Sequence, residues 1–126
     1  MSEIDLLSVS KQWWEDLNQL PEVREYLKIR NQDVQFTLAD GKPFYVRIAE
    51  GHVAVFAGTT VPDIHRVLNL EITQEALLQI YRGKKSFAES VIEEKIFAHE
   101  MSKRSTITWV GKIIRLRKEL GPPVYV

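Results

Sequence analysis

The spacing of apolar residues changes near residue 34 from a helical period to a strand period, and this change limits the fold more than any other feature. Before it, the apolar side chains of residues 6–20 fall on one side of a helical wheel, which predicts an amphipathic helix. Pro21 suits the first turn of a second short helix. After residue 34, apolar and polar residues alternate, as they do in a strand with one buried face. The chain therefore combines helices with a sheet.

The alternating part of the chain predicts four strands in succession. The dipeptide Asp40-Gly41 tolerates positive φ and supplies a turn after the first strand, and Glu50-Gly51 turns the chain again after the second. Short turns favour antiparallel neighbours, so we expect a meander covered on one side. The predicted strands cover residues 34–38, 44–48, 52–57 and 64–72.

The second half of the chain carries signals for more helices and one more strand. Thr73 is a helix N-cap candidate, and Gly83 is placed as the glycine that ends the same helix. A short helix is expected over residues 87–92, a fifth strand over 95–99 and a last helix over 102–120. The pattern predicts a single α+β domain, with N-terminal helices and an antiparallel five-stranded sheet covered on one side by helices.

Residue types exclude several kinds of functional site. The chain has no cysteine, which excludes disulfides, thiol nucleophiles and cysteine-based metal sites. Its three histidines, His52, His65 and His99, lack the spacing that lets one helix face hold a metal. No phosphate-binding loop, dinucleotide fingerprint or nucleophile elbow is present. We therefore expect no catalytic residue, no metal and no cofactor, and a protein that is not an enzyme.

Charge and hydropathy bear on partners and location. The chain has 17 basic and 17 acidic residues, so it lacks the positive field that non-specific nucleic-acid binding uses, and we expect no nucleic-acid partner. The N-terminus lacks the basic and apolar regions of a secretory signal, and no apolar stretch approaches the ~20 residues of a membrane span. We expect a cytoplasmic location.

The zero net charge hides an uneven distribution. Residues 1–63 contain 6 basic and 10 acidic groups, whereas residues 64–126 contain 11 basic and 7 acidic groups. Much of the positive charge lies in the last predicted helix. It can complement the helix dipole, or it can contact an anionic membrane surface or an acidic partner. The basic residues of that helix are Lys103, Arg104, Lys112, Arg115, Arg117 and Lys118.

Adjacent tryptophans are the second unusual feature. Trp13 and Trp14 both fall within the apolar arc of the first helix, about 100° apart. One interpretation places one ring in the core and the other at its rim. The other interpretation makes the pair a homodimer contact or an interfacial anchor.

The order of elements, with several short motifs, resembles the sterol carrier protein type 2 family. The resemblance rests on a strand that begins near Pro62-Asp63, on the stretch Ala76-Leu-Leu-Gln-Ile-Tyr-Arg-Gly83, on Lys84-Lys-Ser-Phe-Ala-Glu-Ser-Val91 and on the late basic and apolar helix. It places the family core at residues 34–120 and makes residues 1–30 an N-terminal helical extension within a single domain of residues 1–126.

This resemblance implies a non-catalytic fold with an apolar tunnel between the sheet and the helices that holds a lipid, either a sterol or a fatty acyl chain. We predict a lipid-binding or lipid-carrier protein. The alternative is a protein-interaction or dimerisation module of the same fold, with a filled core. The residues predicted to line the lipid cavity are Phe36, Phe44, Val46, Leu68, Leu70, Leu77, Ile80, Phe87, Ile96, Trp109, Ile113 and Leu116.

Overall fold

The N-terminal segment folds as two α-helices joined by a 3₁₀ turn. The computed structural model describes residues 5–61, 66–84, 96–98 and 111–117. Helix α1 (Leu6–Glu15) and the 3₁₀ turn (Asp16–Gln19) are followed by α2 (Pro21–Leu27). The helix predicted over residues 6–20 is thus interrupted after Glu15. Leu20 precedes a proline, which disfavours the helical conformation, and it is extended at φ −97° and ψ 109°.

The sheet is mixed. Its strand order is β3-β2-β1-β4-β5, with four strands of six or seven residues and a three-residue strand at one edge. Strands β1 and β4 pair in parallel, whereas the other neighbours are antiparallel. The predicted antiparallel meander is therefore correct for β1 to β3 and wrong for β4. The strands are β1 (Gln32–Leu38), β2 (Phe44–Ala49), β3 (His52–Ala57), β4 (Arg66–Ile72) and β5 (Ile96–Ala98).

The outer edge of β3 explains why β4 does not continue the meander. The Asn18 side chain accepts a hydrogen bond from the Val53 N–H and donates one to the Val53 carbonyl, both at 2.8 Å. Glu15 Oε2 accepts from the Val55 N–H at 3.0 Å. Because these edge groups already have partners, β4 pairs with the open edge of β1. The parallel register sets Leu68 beside Val34, which keeps apolar residues on one face.

The two hairpin turns of the sheet differ in backbone conformation. The β2–β3 connection has φ 53° at Glu50 and 77° at Gly51, the pattern of a two-residue hairpin turn. Gly41, in the β1–β2 turn, does not adopt positive φ, although the Asp40-Gly41 dipeptide tolerates it. A Cβ at Gly41 would lie 2.9 Å from Gln74 Nε2, so a larger residue there would require the Gln74 side chain to move.

Helix α3 (Gln74–Tyr81) has the predicted ends. The Thr73 hydroxyl accepts a hydrogen bond from the Ala76 N–H at 3.2 Å, and Gly83 follows the helix with φ 74°. Helix α4 (Gly111–Arg117) is the described part of the last predicted helix. The helix predicted over residues 87–92 lies outside the described residues.

One face of the sheet and the four helices of the described residues share a single apolar core. Strand alternation and register place the buried apolar residues of β1 to β4 on the same face. The helices contribute buried residues to that core, and the N-terminal segment of residues 6–27 contributes most of them. The buried helical residues of the core include Leu6, Val9, Trp13, Trp14, Leu17, Val23, Leu27, Leu77, Leu78, Ile80, Tyr81 and Ile113.

The opposite face of the sheet carries a polar network that holds the segment after β3. Arg47 forms two 3.0 Å hydrogen bonds to the buried Asp33 carboxylate. The Thr60 hydroxyl also donates to Asp33, and the Thr60 N–H donates to Gln35 Oε1 at 2.8 Å. These contacts fix residues 58–60 against the sheet and leave the core face to the helices.

Candidate functional site

An aromatic cluster fills the space between α1, α3 and the sheet. Trp13 lies 5.0 Å from Trp14 and 4.9 Å from Tyr81, measured between ring centroids. Trp14 lies 5.9 Å from Phe36, which stacks on Phe44 at 4.8 Å. Trp13 is 2% exposed and Trp14 is 0% exposed. The prediction of one ring at the rim is therefore wrong, because α3 and the sheet enclose both rings. A homodimer contact through this pair stays a prediction.

A buried hydrogen-bond chain connects the cluster. Trp14 Nε1 donates to the Tyr81 hydroxyl at 3.1 Å, and that hydroxyl donates to Ser10 Oγ at 2.7 Å. Burial raises the pKa of Tyr81, and its two hydrogen bonds partly oppose the shift. The phenol therefore stays neutral and serves as a structural link between α1 and α3.

Arg117 attaches α4 to α1. Its Nε donates to the Trp13 carbonyl at 3.0 Å, and its guanidinium lies 5.3 Å from the Trp13 ring centroid. Its Nη2 lies 3.6 Å from Asp16 Oδ2. Burial lowers the pKa of Arg117 and Asp16 opposes that shift. Arg117, which we placed on the basic face of the last helix, is 3% exposed and cannot contact a membrane surface.

A pocket of about 650 Å³, here called the sheet-end pocket, opens where β1, β2 and β3 meet the start of α1 and α3. Three of its residues, Leu38, Phe44 and Ala57, are on the core face by register. The pocket therefore opens at the end of the interface between sheet and helices. The residues that line it are Asp5, Leu6, Leu7, Leu38, Lys42, Pro43, Phe44, Ala57, Gly58 and Gln74.

A second groove, of about 640 Å³, lies between α2 and α4. The Lys112 ammonium lies 4.6 Å from the Tyr26 ring centroid, at cation–π distance. Leu116 adds an apolar side, and Glu22 and Glu25 add negative charge. This groove is more charged than the sheet-end pocket.

The structure brings most of the predicted lining residues together in the core. Phe44 also borders the sheet-end pocket, and Leu116 is partly buried and borders the α2–α4 groove. Phe87 and Trp109 lie outside the described residues, and so does the side chain of Ile96. The assignment of these residues to a lipid cavity stays a prediction. The buried members of the set are Phe36, Phe44, Val46, Leu68, Leu70, Leu77, Ile80 and Ile113.

Two residues on the core face of the sheet were not among the lining residues that the sequence predicted. Leu38 lines the sheet-end pocket, and Gln32 is a polar residue that is 7% exposed on the core side of β1. Both residues are separated from Phe36 by an even number of positions. Strand alternation therefore places them on the same face as Phe36, and this spacing could have identified them.

Other kinds of site were sought in the described part of the chain. It contains no group of three or more acidic or histidine side chains that could hold a metal ion. No helix within it has the length and apolar character needed to span a membrane.

The fold and the pocket define an α+β protein with a mixed sheet, one helix-covered face and an apolar pocket at the end of that interface. No protein-family model matches the sequence, and a search of curated proteins found no match. Solved structures do share the fold. The ubiquinone synthesis protein UbiJ-SCP2 aligns at a TM-score of 0.66 and 8% identity, over 98% of this chain and 100% of that chain.

The apo form of sterol carrier protein 2 from Yarrowia lipolytica aligns at a TM-score of 0.59 and 16% identity, covering 90% of this chain and 94% of that chain. The sec-alkylsulfatase Pisa1 from Pseudomonas sp. aligns at a TM-score of 0.57 and 13% identity, covering 74% of this chain but 14% of that chain. The predicted resemblance to sterol carrier protein type 2 is confirmed at the level of the fold.

Proposed function

We propose that this protein is a non-catalytic lipid carrier that binds the apolar part of a sterol or a fatty acyl chain. The observation that carries the proposal is the sheet-end pocket, whose apolar residues continue the core face of a fold shared with sterol carrier protein 2. Among the residues that line it, Leu38 and Phe44 are buried and apolar, whereas Lys42 is exposed and Gln74 is half-buried. Apolar burial alone contributes about 0.8 kcal/mol per methylene, so a long chain needs no catalytic group to be held.

Fluorescence titration with a pyrene-labelled fatty acid or a fluorescent sterol tests this proposal. Leu7 lines the pocket and is 37% exposed, so Leu7→Trp adds bulk there without disturbing the buried core. Ile29→Trp is the matched control, because Ile29 is 88% exposed and does not line the pocket. We expect saturable binding that Leu7→Trp weakens at least about tenfold and Ile29→Trp leaves unchanged. Saturable binding that both variants retain would assign the lipid to another place.

An anionic membrane surface is the proposed donor and acceptor of the lipid. Lys112 and Arg115 are exposed on α4 and remain available to headgroups, unlike Arg117. Cations near such a surface contribute about 1 kcal/mol each. Vesicles with and without phosphatidylserine distinguish this contact from apolar binding.

A protein-interaction module is the second candidate. The observation in its favour is the aromatic cluster, which fills the core beneath α1 with Trp13, Trp14 and Tyr81. In this case the protein would form a stable complex with itself or another protein and would take up no lipid. Light scattering combined with lipid titration separates the two functions.

A further inference from the structure

Among the described residues, ten line the sheet-end pocket, and three of these carry polar side chains. The other seven have no polar side-chain atom, so the polar three decide which end group a bound lipid can have. The pocket volume of about 650 Å³ is within the range of ~300–1,000 Å³ that is usual for a small-molecule site. The three polar residues are Asp5, Lys42 and Gln74.

Asp5 and Gln74 are already engaged within the protein. Asp5 is the N-cap of α1, and both of its carboxylate oxygens accept hydrogen bonds from Ser8, one from the N–H at 3.3 Å and one from the hydroxyl at 2.7 Å. Gln74, the first residue of α3, donates from Nε2 to the Asp40 carbonyl. Each of these two side chains therefore has a structural role at the start of a helix.

Lys42 has no such role. No ion pair or hydrogen bond joins its ammonium group to any residue that the structure describes. Asp40 is only two positions away in the chain, but its Oδ1 accepts from the Gln74 N–H at 2.9 Å. Because Asp5 is held by Ser8 in the same way, both nearby carboxylates are committed to helix starts, and Lys42 is left as the available charge of the pocket.

We propose that Lys42 makes the sheet-end pocket selective for lipids that end in an ionised carboxylate, which are fatty acids. This inference rests on the proposed lipid-carrier function and narrows the ligand to fatty acid anions over sterols and other neutral lipids. An ammonium group has three donors and no acceptor, so it favours an anionic end group that only accepts hydrogen bonds. One ammonium balances the single charge of a carboxylate, whereas a phosphate monoester would leave further charge uncompensated.

The surroundings of Lys42 let one ligand use both its charge and the apolar walls. Lys42 is followed in the chain by Pro43 and Phe44, and all three residues line the pocket. Phe44 and Leu38, which also lines the pocket, are buried. A carboxylate at Lys42 therefore leaves its hydrocarbon chain next to these apolar residues. Partial shielding from water makes such a charge pair stronger than one that is fully exposed.

The experiment measures displacement of a pyrene-labelled fatty acid from the full chain at pH 7.4 by laurate, methyl laurate and dodecylamine. The three compounds share a twelve-carbon chain, but their end groups are anionic, neutral and cationic. We expect laurate to bind about three- to tenfold more tightly than methyl laurate, a ratio between those of an exposed ion pair and a charged hydrogen bond. Dodecylamine should bind most weakly.

Two variants assign the preference to Lys42. Lys42→Met keeps an unbranched apolar side chain but removes the charge, so it should remove the preference for laurate. Because Lys42 is exposed, this variant should fold as the wild type does. Lys84→Met is the matched control and should keep the preference, since Lys84 is exposed, follows the far end of α3 and does not line the pocket.

The outcomes separate this inference from the function on which it rests. Equal affinity of the wild-type protein for laurate and methyl laurate, or tighter binding of dodecylamine, overturns the role of Lys42 and leaves lipid binding in place. A preference for laurate that Lys42→Met retains also overturns it, because another group then faces the carboxylate. A wild-type protein that binds a fluorescent sterol but not the pyrene-labelled fatty acid overturns the role of Lys42 alone, whereas one that binds neither overturns the lipid-carrier function itself.

Discussion

Trp14 Nε1 donates a hydrogen bond to the Tyr81 hydroxyl across 3.1 Å of the buried core, and the two residues are 67 positions apart in the chain. The same hydroxyl donates to Ser10, so one phenol of α3 satisfies two polar side chains of α1. This link fixes α1 on α3 and thereby sets the position of the first helix turn, which borders the sheet-end pocket.

Tyr81→Phe should destabilise the protein. It leaves the Trp14 indole N–H and the Ser10 hydroxyl buried without their partner, at a cost of about 1–3 kcal/mol. Tyr26→Phe is the control, since Tyr26 is half-buried and its hydroxyl accepts a 3.3 Å hydrogen bond from Arg30. Urea denaturation measures both free energies of unfolding. Equal losses in the two variants would show that the buried chain has no special role.

The same tyrosine predicts a loss of stability in alkali. Burial raises the pKa of Tyr81 in the folded protein, whereas the pKa of a tyrosine in the unfolded chain is about 10. The unfolded state therefore loses its proton first as pH rises, and the free energy of unfolding falls above about pH 10. Denaturation between pH 8 and 11 should show a smaller decline for Tyr81→Phe than for the wild type. Parallel declines would contradict the assignment.

Arg117→Met should weaken the attachment of α4. It removes the hydrogen bond to the Trp13 carbonyl and the contact with Asp16, at a cost of about 1–3 kcal/mol. Arg115→Met, at an exposed position two residues earlier, should stay within about 0.5 kcal/mol of the wild type. Thermal and urea denaturation compare them. A larger effect at Arg115 would mean that α4 packs through its other face.

Asn18→Ala should expose the edge of β3. The Val53 N–H and carbonyl lose their partner, which both destabilises the fold and leaves an open strand edge that can pair with another chain. Gln19→Ala is the control at an exposed neighbouring position. Size-exclusion chromatography at rising concentration should show association for Asn18→Ala alone. A monomeric Asn18→Ala of unchanged stability would contradict the role of this cap.

Arg115→Glu should slow lipid transfer to anionic vesicles. The substitution reverses an exposed charge on α4, whereas Lys28→Glu does so on the exposed end of α2. We expect a several-fold lower transfer rate to phosphatidylserine vesicles for Arg115→Glu, and no change with neutral vesicles. An equal effect of both variants would indicate a general charge effect rather than contact through α4.

The sequence predicted the features that depend on local spacing. Alternation located the strands, and the Thr73 cap and Gly83 located the ends of α3. The parallel pairing of β4 could not be predicted, because it depends on Asn18 and Glu15, which occupy the edge of β3 from 35 and 40 residues away. The burial of Arg117 was missed for a similar reason. A basic residue on an amphipathic helix usually faces solvent, and only the position of the Trp13 carbonyl turns this one inward.

Native mass spectrometry of the purified protein, before and after incubation with a lipid extract, tests the central claim most directly. The lipid-carrier function predicts a monomer that carries one lipid and loses the corresponding mass when the complex is activated in the gas phase. Leu7→Trp should reduce the occupied fraction, and Ile29→Trp should not. A bare polypeptide mass under all conditions, or a stable oligomer without lipid, would contradict it.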